Sequence, residues 1–520
     1  MLYEEAASMR WPFLLLVASI ASVGTSLPGK AQADPPPVEV IRQAVEAGKH
    51  EAVALYREFL ALPNDAGHVE DIETLIVWME KAFAERDFET HRIATDSSPA
   101  LFAQRLVPGA NRTILIYLQA DGQPVDPAAW AQEDPFDPVL KAPDELGQWH
   151  PIPWDSLSER FDPDWRIFAR SASDSKGPMT QFMTAVALLD GLGFVPDYNL
   201  KVIIDTEEEL GSPHLAAAVA RESDMLAADF LLIFDGPPHA SNEPTVTFGA
   251  RGIATMTLVT YGPKVAQHSG HYGNFMPNPV FGLARILASL KDVDGRVTLA
   301  GFYDGIAISD EERRLLAAVP DDEAQILANA GVARPDAVAP SLQEALQYPS
   351  LNVRGIRAAW VGNESRTIIP PRATAEIDIR LVKESDGQRL IDLVSDHIRS
   401  LGFHVIDGEP SDAERARYPK LVTVSSEISY DAFRSDFDSP AGLMARAGMR
   451  YLYGEEAILI RTMGGSIPIS PLVETLGVSA AIVPTVNMDN NQHSPNENIR
   501  LGNFVEGIAI LMAVLSQGPD

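Results

Sequence analysis

The 520-residue chain contains no cysteine. That absence excludes disulfides, cysteine-ligated zinc, iron–sulfur clusters and a thiol nucleophile. Any metal site must therefore be built from His, Asp and Glu. Positive charge is scarce as well: 41 Lys and Arg stand against 72 Asp and Glu, a formal net charge of −31. A polyanion of this size is repelled by nucleic acid and by anionic membrane surfaces, so neither is expected as a partner. There is no internal repeat and no low-complexity tract. What remains is ordinary for a globular protein, with 46% hydrophobic and 22% charged residues. The length calls for roughly two to four domains.

The N-terminal stretch reads as a leader rather than as fold. Arg10 precedes an apolar run from Pro12 to Gly24, followed by Ala31-Gln32-Ala33 and the extended polar stretch Asp34-Pro35-Pro36-Pro37. This is the pattern of a secretory signal peptide over residues 1–33, with cleavage after Ala33. The apolar run falls short of the roughly 20 residues that span a bilayer, and no later run reaches that length. The expectation is a secreted or periplasmic protein with no membrane attachment after cleavage.

Along the rest of the chain, apolar spacing predicts helices between about 38 and 90 (Ile41, Val45, Val53, Tyr56, Phe59) and over 179–192. The runs 113–118, 200–204 and 230–234 read as buried strands, and strands alternating with helices imply a mostly parallel sheet. Residues 122–166, rich in Pro, Asp and Trp (Trp130, Trp149, Trp154, Trp165), read as a long irregular excursion that either walls a pocket or packs on the surface. From about Thr255 the texture changes: 254–260 and 374–380 alternate apolar with polar residues, as half-exposed antiparallel strands do. Residues 386–401 form an amphipathic helical pattern, and buried runs return after 436. The order α/β, α+β, α/β predicts one domain inserted into another.

Reactive groups in α/β sheets collect beyond the carboxyl ends of the strands. Here Gln119-Ala120-Asp121, Asp205 to Ser212, Asp235-Gly236 and the C-terminal His493-Ser494-Pro495-Asn496-Glu497 all follow strand-like runs, and Ala172 to Gly177 opens a helix. Each alone is an ordinary turn or cap. Together, in a chain without cysteine, they read as an oxygen- and imidazole-lined metal centre.

These segments resemble the M20 metallopeptidases, which include dipeptidases, carnosinases, carboxypeptidase G-type enzymes and aminoacylases. Ala172-Ser173-Asp174-Ser175-Lys176-Gly177, Glu208-Glu209-Leu210-Gly211-Ser212, Arg251-Gly252, His268-Ser269-Gly270-His271-Tyr272-Gly273, Gly464-Gly465-Ser466 and His493 to Glu497 are similar to that family's signatures, in the family's order. The resemblance implies a zinc-peptidase-type α/β catalytic domain in two parts, 38–250 and 436–520, with an α+β, ferredoxin-like lid and dimerisation domain at 251–435. It implies Zn²⁺, one or two ions per chain or another divalent metal, held by Asp174 as the bridging ligand with Glu209, His493 and Asp235. It makes Glu208 the general base for a metal-activated water. His268 becomes a lid residue that serves the partner subunit of a homodimer, where it stabilises the oxyanion. Arg380, Asn352, Gly465 and Ser466 become the residues that hold the substrate. The implied reaction is hydrolysis of an amide next to a free carboxylate, in a small peptide (a dipeptide or the C-terminal residue of a longer one) or an N-acyl amino acid.

One position departs from the family pattern. The first signature is H-x-D, whose His binds metal and whose Asp orients it, and here it reads Gln119-Ala120-Asp121. An amide oxygen is a weaker zinc ligand than imidazole. The position shared by Asp174 and Asp235 therefore loses its nitrogen ligand, and Asp121 has no ring N–H to orient. An oxygen-only metal shell, a single-metal enzyme and a non-catalytic binding protein all remain open, with His150, His214 and His239 as candidate replacement imidazoles. Arg461 lies one residue away from the Arg usually found before the double glycine, which puts its grip on substrate in doubt.

Overall fold

The computed structural model describes residues 34–518, so the leader expected over 1–33 lies outside the described residues. The helical pattern of 38–90 resolves into two helices, Val38–Leu60 and Val69–Ala84. The buried face of Val38–Leu60 packs against the helix Lys176–Gly191 and the C-terminal helix Leu501–Leu515, and Val69–Ala84 lies against the strands Glu89–Ile93 and Ala100–Arg105.

The main sheet has eight strands, and its middle is parallel. Arg112–Gln119 lies between Tyr198–Asp205 and Phe230–Ile233, parallel to both. Residues 114–119 are buried on both faces, which is why this strand reads as a continuous apolar run instead of an alternation. Ser479–Ile482 then pairs in parallel with Phe230–Ile233. The sheet therefore takes strands from both sides of the 250–435 segment, which is inserted into it. Toward one edge the sheet turns antiparallel, through Ala100–Arg105 and Glu89–Ile93.

The inserted unit is a five-stranded sheet in the order Ser350–Arg357, Arg372–Leu381, Gly252–Tyr261, Leu421–Tyr430, His404–Ile406. Gly252–Tyr261 alternates buried and half-buried residues along its whole length. One face of the sheet is covered by Pro279–Leu290 and Gly387–Ser400, which form a second core with it. Between Pro279–Leu290 and Ser350–Arg357 the chain makes an excursion with the short helices Asp310–Ala317, Glu323–Ala330 and Leu342–Ala345, which the apolar spacing does not reveal. This excursion is fastened to the catalytic part: Glu312 pairs with Arg461, and Gln347 accepts from Arg461 Nη1 at 3.0 Å and from Thr462 at 3.1 Å. Arg461 is thus buried in a link between the two units and is not presented to a substrate.

The 122–166 segment is more ordered than its composition suggests. Val139–Pro143, Trp149–Pro151 and Arg166–Phe168 join Asn498–Arg500 in a four-stranded antiparallel sheet. Its tryptophans pack against arginines: Arg166 over Trp149, Arg57 over Trp154 and Arg170 over Trp130.

Candidate metal centre

The parallel register brings the expected residues to one end of the sheet. Gln119 pairs with Asp205, and two residues beyond the pair Tyr117 and Ile233 it lies level with Asp235 on the neighbouring strand. Asp205 accepts from Tyr117 Oη at 3.1 Å and from the Glu207 amide at 3.0 Å, which fixes the turn carrying Glu208 and Glu209. Asp174 enters from the loop before the helix Lys176–Gly191, with a cis Asp174–Ser175 peptide. In that loop Lys176 is fully buried on the carbonyl of Leu62. A Cβ on Gly177 would lie 2.5 Å from the carbonyl oxygen of Ala172, so only glycine fits.

Three ligand-type side chains converge. Donor atoms of Asp174, Glu209 and His493 lie within 4.8 Å of one another, the only such trio of His, Asp and Glu among the described residues. His493 Nε2 is 2.9 Å from Asp174 Oδ2 and 3.3 Å from Glu209 Oε2. His493 reaches the trio from a loop in which Asn491, His493 and Asn496 all hold positive φ, near 60°, a conformation costly for residues other than glycine and characteristic of functional loops. Two carboxylates and one imidazole are the donor set of an open three-ligand zinc site, and these residues fit a divalent ion.

The other expected residues fall around the trio. Glu208 precedes Glu209 in the same turn. Asp235 accepts from Ser175 Oγ at 2.8 Å. Gln119 donates from Nε2 to Asp174 Oδ1 at 2.8 Å, while its own carbonyl oxygen is buried with no partner. Asp121 accepts from the Glu209 amide at 2.9 Å through one oxygen, and its other oxygen meets no donor. The three candidate replacement histidines are engaged elsewhere: His150 is paired with Asp144, His214 with Glu207, and His239 with Ser241 and Asp321.

On the lid side, Arg380 donates from Nη1 to Ser466 Oγ at 2.7 Å and lies 3.6 Å from Asp378, which accepts from Asn352 at 2.9 Å. Gly465 accepts from the Arg251 amide at 3.2 Å. His268 is exposed, accepts from the Gly270 amide at 3.0 Å and stacks near His271. These contacts keep it within the lid, apart from its own chain's acidic trio.

Several residues around the centre take part in it with no role assigned from the sequence. Gln123 donates to Glu209 at 2.8 Å and Gln492 to Asp174 at 3.2 Å. Tyr430, at the end of Leu421–Tyr430, is raised to about 12 by burial and by the Glu208 carboxylate. Glu497 matters most. Its carboxylate, 1% exposed, accepts from the amides of Ser171, Ser173 and Asp174 at 2.9–3.0 Å and from Arg170 at 2.8 Å. The loop that supplies His493 thereby also fixes the backbone of Asp174. Trp130 lies under Arg170, which pairs with Glu497.

Crowded acids keep their protons. Burial first, and then the charges of Asp174, Glu209 and Asp235, push Glu208 well above the ordinary carboxylate range. Burial and Asp174 raise Glu209 to about 8 and Asp235 to about 7, and the hydrogen bond to Asp174 raises His493 to about 9. Without metal, the folded protein therefore binds protons that the unfolded chain releases from about pH 4 upward, so its stability falls as pH rises through the carboxylate window. His493 acts in the same sense: its contribution is complete below 6.5 and lost toward 9. Chelated protein should show a Tm that decreases from about pH 5 to pH 9, and metal should flatten the dependence, because the ion replaces the protons. Thermal melts at several pH values, with and without chelator, test this; a metal-free Tm that rises with pH would contradict the assignment.

Residues 248–405 match the M20 peptidase dimerisation domain. The Beta-Ala-His dipeptidase of Homo sapiens is 28% identical over 356 residues, 67% of this chain and 68% of the relative. The Cys-Gly metallodipeptidase of Candida albicans is 24% identical over 498 residues, 91% and 96% of the two chains. The crystal structure of an M20 family metallo-carboxypeptidase from Sulfolobus solfataricus superposes with a TM-score of 0.74 at 26% identity, covering 90% of this chain and 99% of that one. Residues 248–405 are thus an M20 peptidase dimerisation domain, inserted in an α/β fold similar to that of M20 metallopeptidases, and the chain is homologous to metallodipeptidases.

Proposed function

We propose that the protein is an exported, homodimeric zinc dipeptidase that cleaves the amide bond next to a free C-terminal carboxylate. One observation carries this reading: Glu208, whose carboxyl is held well above its ordinary range by burial, directly precedes Glu209 of the Asp174, Glu209, His493 trio, and its charge is felt by Tyr430. A binding protein has no use for a base in that place.

Asp174, Glu209 and His493 would hold the ion, whose chemistry is to polarise the scissile carbonyl and acidify water. Glu208 takes the proton from the attacking water and passes it to the leaving amine, as a group with a raised pKa does near neutral pH. Arg380 receives the substrate carboxylate. Ser466 holds its Nη1, while Asp378, itself held by Asn352, lies beside its Nε. Buried Arg251 adds positive charge close enough that Arg380 depresses it, after burial, to about 10. Two guanidiniums and one neighbouring carboxylate leave a net positive pocket for an anionic terminus. The Beta-Ala-His and Cys-Gly dipeptidases among its relatives point to dipeptides. Export rests on Arg10, the apolar run and Ala31-Gln32-Ala33, and the homodimer on the dimerisation domain.

Zinc-loaded protein should hydrolyse a panel of dipeptides, and C-terminal amidation should lower kcat/KM by about a hundredfold or more, the effect of leaving a buried cation unpaired. Absence of hydrolysis of every dipeptide by protein shown to contain metal would refute the reading.

A further inference from the structure

Asp174 is placed to bridge two ions, yet the second position is not built for one. Its protein groups are Asp174, Asp235 and Gln119, with no nitrogen ligand. Gln119 Nε2 already donates to Asp174 Oδ1, and Ser175 Oγ to Asp235. No second trio of His, Asp and Glu converges among the described residues. Zinc sites take their affinity from imidazole or thiolate, Ca²⁺ needs six to eight oxygen ligands, and Mg²⁺ is held by carboxylates together with waters and substrate phosphates, which an amide-cleaving site does not supply. The residues present do not fit a second ion.

The position nonetheless lacks a cation. One divalent ion on Asp174 and Glu209 offsets two charges and leaves Asp235 uncompensated in a crowded acidic site. No basic side chain of the same loop supplies the charge: Arg170 is paired with Glu497 and Lys176 is turned to the carbonyl of Leu62. Gln119, 3% exposed, presents there a buried carbonyl oxygen that meets no donor. Such orphan acceptors are rare and call for a partner. A group with several N–H donors and one positive charge satisfies both demands, since an ammonium bonds to oxygen at ordinary hydrogen-bond distance and needs no nitrogen ligand.

We propose that the centre holds a single metal ion, on Asp174, Glu209 and His493, and that the neighbouring position formed by Gln119, Asp235 and Asp174 receives the free ammonium group of the substrate in place of a second ion. This rests on the dipeptidase reading and narrows it to peptides with an unblocked N-terminus, against N-acyl amino acids.

Elemental analysis of wild-type protein after mild chelation and zinc reconstitution should give about one ion per chain, and Gln119→His should raise this toward two. A non-hydrolysable ketomethylene dipeptide, with its amine free or acetylated, is then titrated into the zinc-loaded wild type by calorimetry. The free amine should bind about a hundredfold more tightly, the effect of leaving a buried carboxylate unpaired, and Gln119→His should shrink that ratio. Two tightly held ions in the wild type, no gain of metal in Gln119→His, or equal binding of the two ligands would each overturn the proposal. One ion with clear selection for the free amine, but no hydrolysis of any dipeptide, would overturn the dipeptidase reading and leave this assignment standing. Hydrolysis by a two-ion protein would do the reverse.

Discussion

Glu208→Gln is expected to lower kcat by about 10²–10⁴-fold, the usual worth of a positioned general base, with metal content unchanged. The amide is isosteric, so it fills the same space, and it cannot take a proton from water. It also carries no charge, so it removes one member of the repelling group of Glu208, Asp174, Glu209 and Asp235. Thermal stability without metal should therefore hold or rise. The two readouts separate a chemical role from a structural one: turnover collapses while elemental analysis and melting curves stay near the wild type. Activity within a few fold of wild type would remove Glu208 from proton transfer.

His268→Ala is expected to cost about 10²–10³-fold in kcat, the effect of deleting one donor to a developing oxyanion, although His268 keeps to its own lid, on Gly270 and His271. In the proposed homodimer the loss would arise across the subunit interface, where one protomer's His268 would complete its partner's site. Mixing His268→Ala with Glu208→Gln tests this. Random reassociation makes half of the dimers mixed, and each has one intact site, so roughly a quarter of wild-type activity should return. Neither variant regains activity alone. A mixture with no recovery, once exchange is shown by size or label, would place His268 outside the partner's chemistry.

Much of the fold is legible in the residues because burial writes itself into the pattern. The unbroken apolar runs at 114–118 and 230–233 mark strands covered on both faces, and the alternation over Gly252–Tyr261 marks a lid strand with one wet side. The trio was legible on other grounds: Asp174 opens a helix, Glu209 and His493 lie in loops beyond strands, and all three sit in segments that resemble the family's signatures. Glu497 was not. Nothing local shows that its carboxylate turns back to an amide 323 residues earlier. Gln123 and Gln492 were hidden too, because glutamine is at home on any surface and only the fold brings their amides to Glu209 and Asp174. The Trp-rich stretch misled through composition: Pro and Asp between short strands look like a loop until Asn498–Arg500 pairs with Arg166–Phe168.

The clamp formed by Glu497 also sets an order of events. Asp174 and Glu209 belong to the part of the chain made first, whereas His493 and Glu497 lie near its end. A polypeptide emerging from the ribosome carries two acidic ligands, but it has neither the imidazole that completes the trio nor the carboxylate that gathers the amides of Ser171, Ser173 and Asp174. The ion's full ligand set can therefore form only after synthesis of the last segment. A product cut short before residue 493 lacks a catalytic centre, however well its lid and first strands have formed.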